Sequence, residues 1–378
     1  MLLKSQNSSL GFFSVLAAML ILSAAVMAED STKEVDQARQ KAVLKGIEYL
    51  RQKGQAEDGS FSRQAGPAVT ALVATALLRN GLSVNDPLVA KALTYIESFA
   101  QDDGGIYKTG STHKNYETCV AMLVLSAANA DGRYNDRLKK AEAFVKGLQW
   151  DEAEGQDESS FNYGGAGYGG KKRPDLSNTS FFIDALKAAG NGPDDEAMKK
   201  ALIFVSRCQN LESEHNTTPF AAKNPDGGFY YTVAAGGESF AGKVDGGLRS
   251  YGSMTYAGLK SMIFAGLGPD DNRVKAAVEW IRKNYALDAN PGMGNAGLYY
   301  YYHTFAKALD ALGADEVTDE SGAKHNWRRE LAAELVRRQQ KDGSWSNEAS
   351  RWMEGDPNLV TGYALLSLSY CRPKAASK

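Results

Sequence analysis

The chain has 378 residues, with 43 Lys+Arg against 45 Asp+Glu and a formal net charge of -2. The basic residues are scattered rather than clustered, which argues against a nucleic-acid partner. The three cysteines, Cys119, Cys208 and Cys371, are sparse, odd in number and far apart. They are expected as buried free thiols with at most one bridge, not as a disulfide framework.

At the start of the chain, Lys4 precedes an apolar run from Leu10 to Met27, and Val26-Met27-Ala28 supplies a small-residue cleavage pattern before Glu29. Residues 1–28 are therefore expected to be a signal peptide cleaved near Ala28, giving a secreted or periplasmic protein. An uncleaved anchor is the alternative, although the run is a little short to span a bilayer. Residues 29–378 are long enough for one large single-core fold or two ordinary domains, and are read as a single domain.

From there apolar residues recur at three- and four-residue spacing to the end of the chain, and no period-2 strand pattern persists. The spacing predicts helices over 35–53, 67–80, 86–101, 115–129, 135–149, 177–189, 194–211, 249–265, 270–285, 298–312, 324–341 and 358–371. They alternate in character. The odd members carry a charged face, whereas the even members are rich in small residues and apolar on most sides, which marks them for burial.

Turn signatures join odd helices to even ones: Gln55 to Phe61, Gln101 to Ile106, Asn224 to Phe229 and Gln339 to Trp345, each carrying Asp-Gly or Asp-Asp-Gly. Two further copies are degraded, Asp157 to Phe161 and Pro291 to Gly294. Asp-Gly provides a side-chain-bonded turn with positive φ, and the residue that follows can pack back on the hairpin. A threonine stands in the first part of every even helix, at Thr70, Thr118, Thr179, Thr255, Thr304 and Thr361. Unequal intervals between these threonines indicate helical hairpins with lengthened loops. Six buried and six amphipathic helices in alternation are best satisfied by an all-α (α/α)6 toroid, with an apolar inner ring and an amphipathic outer ring. An open solenoid is the alternative, but solenoids need polar capping repeats, and the last helix, Val360 to Leu368, is as apolar as the middle ones.

The repeated Gln-x-x-Asp-Gly-Ser-Trp/Phe turn, best kept at 339–345 and 55–61, resembles the repeat of squalene-hopene cyclases and protein prenyltransferase β subunits, the terpenoid-cyclase α/α-toroid superfamily. The resemblance covers about residues 35 to 371. It implies the toroid and a central cavity that in relatives holds isoprenoids, while fold alone does not settle function. In triterpene cyclases a Pro-Asp-x-Asp-Asp-Thr motif begins an inner helix and its middle aspartate protonates the polyene. The matching stretch here is Pro174-Asp175-Leu176-Ser177-Asn178-Thr179, so Ser177 stands where that acid would be. A serine hydroxyl is far too weak an acid for that step. In prenyltransferase β subunits zinc is held by an aspartate and a cysteine at one inner-helix start and by the histidine of a Tyr-His-Thr motif at the next. Tyr302-His303-Thr304 matches the latter, but Arg249 and Tyr251 occupy the places of the other two ligands. A zinc site needs three protein ligands, so no metal and no other cofactor is expected.

The candidate catalytic residues are His303, Asp175 and Tyr251, and the candidate ligand-binding residues are Arg249, Asn178, Tyr302, Trp352 and Glu354. Each also has a plain structural reading. Asp175, Ser177 and Asn178 are good helix N-caps, His303 can be a hydrogen-bonded core residue, and Tyr299 to Tyr302 cannot all face one side of a helix. The glycine-rich stretch Asn162 to Gly170, followed by Lys171, Lys172 and Arg173, is either a flexible insertion or a place where backbone N–H groups and cations meet an anion such as a diphosphate. The leading expectation is an exported toroid whose cavity binds a hydrophobic, isoprenoid-like ligand. If it is an enzyme, it is cyclase- or prenyltransferase-like. The alternatives are a polysaccharide lyase or hydrolase, using tyrosine, histidine and carboxylates for acid/base work, and a non-catalytic interaction scaffold.

Overall fold

The computed structural model describes residues 33–169 and 172–372, so the signal peptide expected at 1–28 lies outside the described residues, as do Gly170 and Lys171. Helix α1 spans 33–49. The other outer helices are α3 (Pro87–Glu97), α5 (Asn135–Lys146), α7 (Glu196–Arg207), α9 (Asn272–Lys283) and α11 (Trp327–Arg338). The inner helices are α2 (Pro67–Arg79), α4 (Lys114–Ala127), α6 (Leu176–Ala188), α8 (Gly252–Phe264), α10 (Leu298–Leu312) and α12 (Pro357–Tyr370). Their starts are written in the sequence. Asp86, Asp175, Asp195, Asp271 and Asp356 each accept a hydrogen bond from a first-turn backbone N–H, and Pro67, Pro87 and Pro357 begin helices where no amide donor is needed.

Each inner helix packs against the next, from α2 through α12, and α12 packs back on α2. The ring is therefore closed, and the amphipathic helices surround it as the alternation of burial requires. Outside the helices, residues Lys243–Val244 pair with Gly247–Leu248, and Val317–Thr318 with Lys324–His325, in two antiparallel two-residue ladders within loops. These are too short to leave a periodic trace in the sequence. Cys119, Cys208 and Cys371 are all free and buried.

The turn signature acts as a clamp with three parts. First, the glutamine side chain bridges its own turn to the next outer helix around the ring. Gln55 Nε2 donates to Gly59 O and Leu88 O, Gln209 Nε2 to Gly227 O and Arg273 O, and Gln339 Nε2 to Gly343 O and Ala42 O, all at 2.8 to 3.1 Å. Second, the inner-helix threonine hydroxyl accepts the backbone N–H of the residue that ends the turn. This links Phe61 to Thr70, Ile106 to Thr118, Phe229 to Thr255 and Trp345 to Thr361 at 2.9 to 3.1 Å. Third, the turn glycine touches the backbone of the next outer helix. At Gly343, with φ +92°, a Cβ would stand 2.4 Å from Lys45 O.

Two copies differ from the sequence expectation. In the third hairpin the clamp is formed by Gln149, which donates to Gly164 O and Ala197 O, and by Ala166, whose N–H reaches Thr179. Asp157 to Phe161 belongs to an insertion between Gln149 and Gly164, with Phe161 42% exposed. An inserted loop separates the two halves of the clamp in sequence while leaving them adjacent in space. In the fifth hairpin the loop at Pro291 instead caps α8. Pro291 O accepts from Gly252 N and Asn290 Oδ1 from Ser253 N.

Thr304 is also out of register. It is the seventh residue of α10, whereas the other inner-helix threonines are fourth or fifth in theirs, and its hydroxyl bonds only the Tyr301 carbonyl of its own helix. Helix α10 therefore begins nearly a full turn earlier than its Tyr-His-Thr motif suggests, which carries His303 below the rim.

Candidate ligand cavity

A cavity of about 660 Å³ opens at the N-terminal ends of the inner helices. The third residue of every inner helix contributes to its wall: Val69, Tyr116, Asn178, Met254, Tyr300 and Leu359. Phe181 and Tyr363, about one turn further along, join them. Ring contacts run from Tyr116 to Phe181 (5.1 Å), Phe181 to Tyr300 (6.3 Å) and Tyr300 to Tyr363 (6.0 Å), so the floor is largely aromatic. Ser177 Oγ lies 3.0 Å from Tyr300 OH, partnering a floor phenol where an acid stands in the cyclase motif.

The mouth is built from loops. Tyr231 stacks near Phe240 (4.4 Å) and Phe240 near Trp352 (5.4 Å), with the Arg351 guanidinium 4.7 Å from the Phe240 ring and 4.3 Å from the Trp352 ring. Trp352 and Met353 hold left-handed φ values of 56° and 65°, each with 40% of its surface exposed. A bulky residue in that region costs about 1–2 kcal/mol, so the loop must be fixed from elsewhere. The fixing group is Glu354. It is 1% exposed, and its carboxylate accepts from Tyr300 N at 2.8 Å and Asn347 Nδ2 at 2.7 Å. Helix α10 follows Gly297 and has no capping side chain of its own, so Glu354 supplies the acceptor from across the mouth. Burial raises the Glu354 carboxyl above its ordinary value, against the lowering effect of those donors.

A second carboxylate, Glu117 on α4, also lines the cavity. Its Oε2 accepts from Lys108 N at 2.7 Å and its Oε1 from the Ser111 hydroxyl. Burial raises this carboxyl too, with both donors pulling the other way.

Beneath the floor lies a polar cluster that the apolar appearance of the inner helices conceals. Lys260 Nζ donates to Asp184 Oδ1 and to Ser180 Oγ, each at 2.6 Å, and Lys307 Nζ donates to Asp184 Oδ2 at 2.6 Å. All three charged residues are largely withdrawn from water, and a buried charge is tolerated only when paired and hydrogen-bonded. Desolvation lowers the Lys260 ammonium to about 8, with Asp184 opposing. His303 sits beside this cluster, stacked 5.8 Å from Tyr363, and its buried Nδ1 has no partner. Burial, then the nearby Lys307 charge, lowers the imidazole to about 3.

Of the residues singled out in sequence, Tyr251, Asn178, Trp352 and Glu354 meet on the cavity wall. His303 lies below the floor. Tyr302 turns outward between the rings, its hydroxyl donating to Leu287 O at 2.5 Å, and Tyr301 does the same to Ala286 O at 2.6 Å. Only Tyr300 of the four consecutive tyrosines reaches the wall. Arg249 is exposed, next to the hairpin at 243–248. Asp175 is 2% exposed and sits behind Asn178, accepting Asn178 N at 2.9 Å and Asn178 Nδ2 at 2.8 Å. Burial raises its carboxyl to about 6, while the Asn178 and Tyr231 hydrogen bonds pull it down. The glycine-rich stretch folds onto the start of α4, with Asn115 N donating to Tyr168 O and Asn115 Nδ2 to Gly167 O, and Arg173 is paired with Glu238. That amide and Arg173 are thus already engaged. The sequence pointed to no candidate at Glu117, Tyr116, Phe181 or Tyr363, and offered Tyr300 only within the run Tyr299 to Tyr302. The available signal was position, since Glu117 immediately precedes the clamp threonine Thr118, as Asn178 precedes Thr179.

Among the described residues no group of three His, Cys, Asp or Glu side chains is placed to hold a metal ion, and no helix is long and apolar enough to cross a membrane.

Residues 63–240 match the family model of the squalene-hopene cyclase C-terminal domain. No curated protein matches the sequence. Among solved structures, the chain is similar to the type II terpene cyclase MstE from Scytonema, with a TM-score of 0.51 at 13% identity over 88% of this chain and 97% of that one. A variant of that cyclase in complex with geranylgeranyl dihydroxybenzoate gives a TM-score of 0.51 at 14% identity over 91% and 98%. A protein from Actinoplanes gives 0.50 at 16% identity over 88% and 99%. At these identities the likeness is one of fold, and it agrees with the closed double ring and the repeated turn clamp. Residues 63–240 thus resemble the squalene-hopene cyclase C-terminal domain, and the chain as a whole shares the fold of these solved structures.

Proposed function

We propose that this is an exported toroid protein whose cavity binds a hydrophobic, isoprenoid-like small molecule. The observation that carries the reading is the wall itself: a space of about 660 Å³ enclosed by Tyr116, Phe181, Met254, Tyr300, Leu359 and Trp352. That volume lies in the range of ligand pockets, and aromatic and aliphatic surface of this kind is released from water when an apolar ligand enters. The geranylgeranyl compound held by the Scytonema cyclase is of the chemical class such a wall suits.

Of the residues that would favour a polysaccharide enzyme, Tyr251 and Glu354 reach the cavity wall and the other three do not. Arg249 is at the surface, His303 is under the floor and Asp175 is behind Asn178. Ser177, in the cyclase acid position, is engaged with Tyr300. The proposed activity is therefore binding, with no proton delivered to a polyene from that position. Native mass spectrometry of the protein purified from the exported fraction tests the reading. The expected result is a co-purifying lipid, or mass shifts on adding C20 to C30 isoprenoids. A protein that takes up none of them, and instead cleaves an acidic polysaccharide, overturns it.

A further inference from the structure

The polar groups of the cavity wall are unevenly placed, and Glu354, on the far side, is already bonded to Tyr300 N and Asn347 Nδ2. The side built by α4, its preceding loop and α6 presents Ser111, Thr112, Glu117 and Asn178, while the opposite side presents Phe240, Met254, Trp352 and Leu359. Glu117 is 6% exposed and uses one lone pair on each oxygen, for Lys108 N and the Ser111 hydroxyl. A carboxylate can accept about four hydrogen bonds, so roughly two remain for a ligand. Asn178, on the neighbouring inner helix, is 1% exposed. Its Nδ2 is bonded to Asp175, while its Oδ1 is buried with no partner. A buried acceptor left unmade costs about 1–3 kcal/mol, which a donor brought by a ligand would recover. Both groups offer acceptors and require a donor.

The charge on the wall is of the wrong sign for a phosphorylated ligand. Glu117 and Glu354 both line the space, against Lys108 as the one lysine or arginine among the described lining residues. Burial, then the nearby Lys172 charge, lowers the His113 imidazole, so it does not serve as a cation at neutral pH. A diphosphate entering here would face two carboxylates in a partly desolvated space, where like charges repel more strongly than in water.

Resting on the isoprenoid reading of the cavity, we infer that Glu117 and Asn178 form a hydroxyl-recognition site, so that the ligand is an isoprenoid alcohol rather than a hydrocarbon or an isoprenoid diphosphate. The hydroxyl donates to Glu117 or Asn178 Oδ1 on the α4–α6 wall, and the hydrocarbon part lies against the Met254, Leu359 and Trp352 side.

The test compares three probes that share one C20 skeleton, geranylgeraniol, geranylgeranyl diphosphate and the corresponding hydrocarbon, by native mass spectrometry and by tryptophan fluorescence, since Trp352 stands at the mouth. The alcohol is expected to bind at least about tenfold more tightly than either of the others, the scale of one hydrogen bond to a charged group. The double variant Glu117→Gln/Asn178→Ala, which weakens or removes both alternative acceptors, should lose most of that preference and leave hydrocarbon affinity within about twofold, so the hydrocarbon also reports that the variant folds. Glu117→Asp, which keeps the carboxylate, should retain part of the preference. Equal binding of alcohol and hydrocarbon, tighter binding of the diphosphate, or a preference unchanged in the double variant would each overturn the assignment while leaving the cavity reading standing. Failure of all three probes to bind overturns the cavity reading and the hydroxyl site with it.

Discussion

Asp184 on α6 and Lys307 on α10, 123 residues apart in sequence, meet at 2.6 Å in the centre of the inner ring, and Lys260 on α8 holds the other carboxylate oxygen. One carboxylate thus ties together three consecutive inner helices. Replacing Asp184 by Asn leaves two buried ammonium groups without a counter-charge, and a loss of about 3–5 kcal/mol is expected in urea denaturation. A triple replacement, Asp184→Leu with Lys260→Met and Lys307→Met, should recover most of that loss, because a well-packed apolar set often equals a buried ion pair. Desolvation alone would raise the Asp184 carboxyl, but the two lysines outweigh it and the net shift is downward. The folded value therefore lies below the unfolded one. The stability this group contributes is complete above the unfolded carboxylate range and is lost as pH falls through the folded value. A triple variant as unstable as Asp184→Asn would contradict this account.

His303 gives a second pH signature of the same sign by a different cause. Its imidazole is lowered to about 3 by burial and then by Lys307, against an unfolded value of about 6.5. Between those values the unfolded chain binds a proton that the folded chain does not. Stability is therefore full above pH about 6.5 and falls steadily as pH drops toward about 3. In His303→Phe, which keeps an aromatic ring beside Tyr363, that slope should flatten. An NMR titration showing the His303 ring protonating above pH 5 would count against this assignment.

The turn clamp permits a paired glycine test. Gly343 and Gly322 both have positive φ, 92° and 86°, but a Cβ at Gly343 would stand 2.4 Å from Lys45 O, whereas nothing lies within 4 Å at Gly322. Gly322→Ala should cost only the left-handed penalty of about 1–2 kcal/mol. Gly343→Ala should cost at least about 2 kcal/mol more, because α1 must move away from the turn. Equal costs in thermal unfolding would show that the close approach is not sustained.

Glu354→Ala should uncap α10. The expected cost is about 1–2 kcal/mol, typical of a lost N-cap, with faster hydrogen exchange at the Tyr300 amide and in the Arg351 to Met353 turn. Unchanged exchange at Tyr300 would mean that another acceptor holds this helix end.

The sequence alone determined the alternation of buried and amphipathic helices, their boundaries to within a few residues, the capping reading of Asp175 and the turn signature, because these are set by neighbours within one hairpin. From that alternation the closed double ring followed as the simplest way to bury six apolar helices. Tertiary structure decided which side chains share the cavity. A rotation of about 100° per residue separates wall from inter-ring positions, so Tyr300 faces the ligand space while Tyr302, two residues on, bonds Leu287 O. The start of α10 at 298 was legible in the spacing, whereas the burial of His303 below the floor was not, because a motif carries no record of how deep its helix sets it. The meeting of Asp184, Lys260 and Lys307 was equally invisible. Each reads as an isolated polar residue on an apolar helix, and only closure of the ring brings them together.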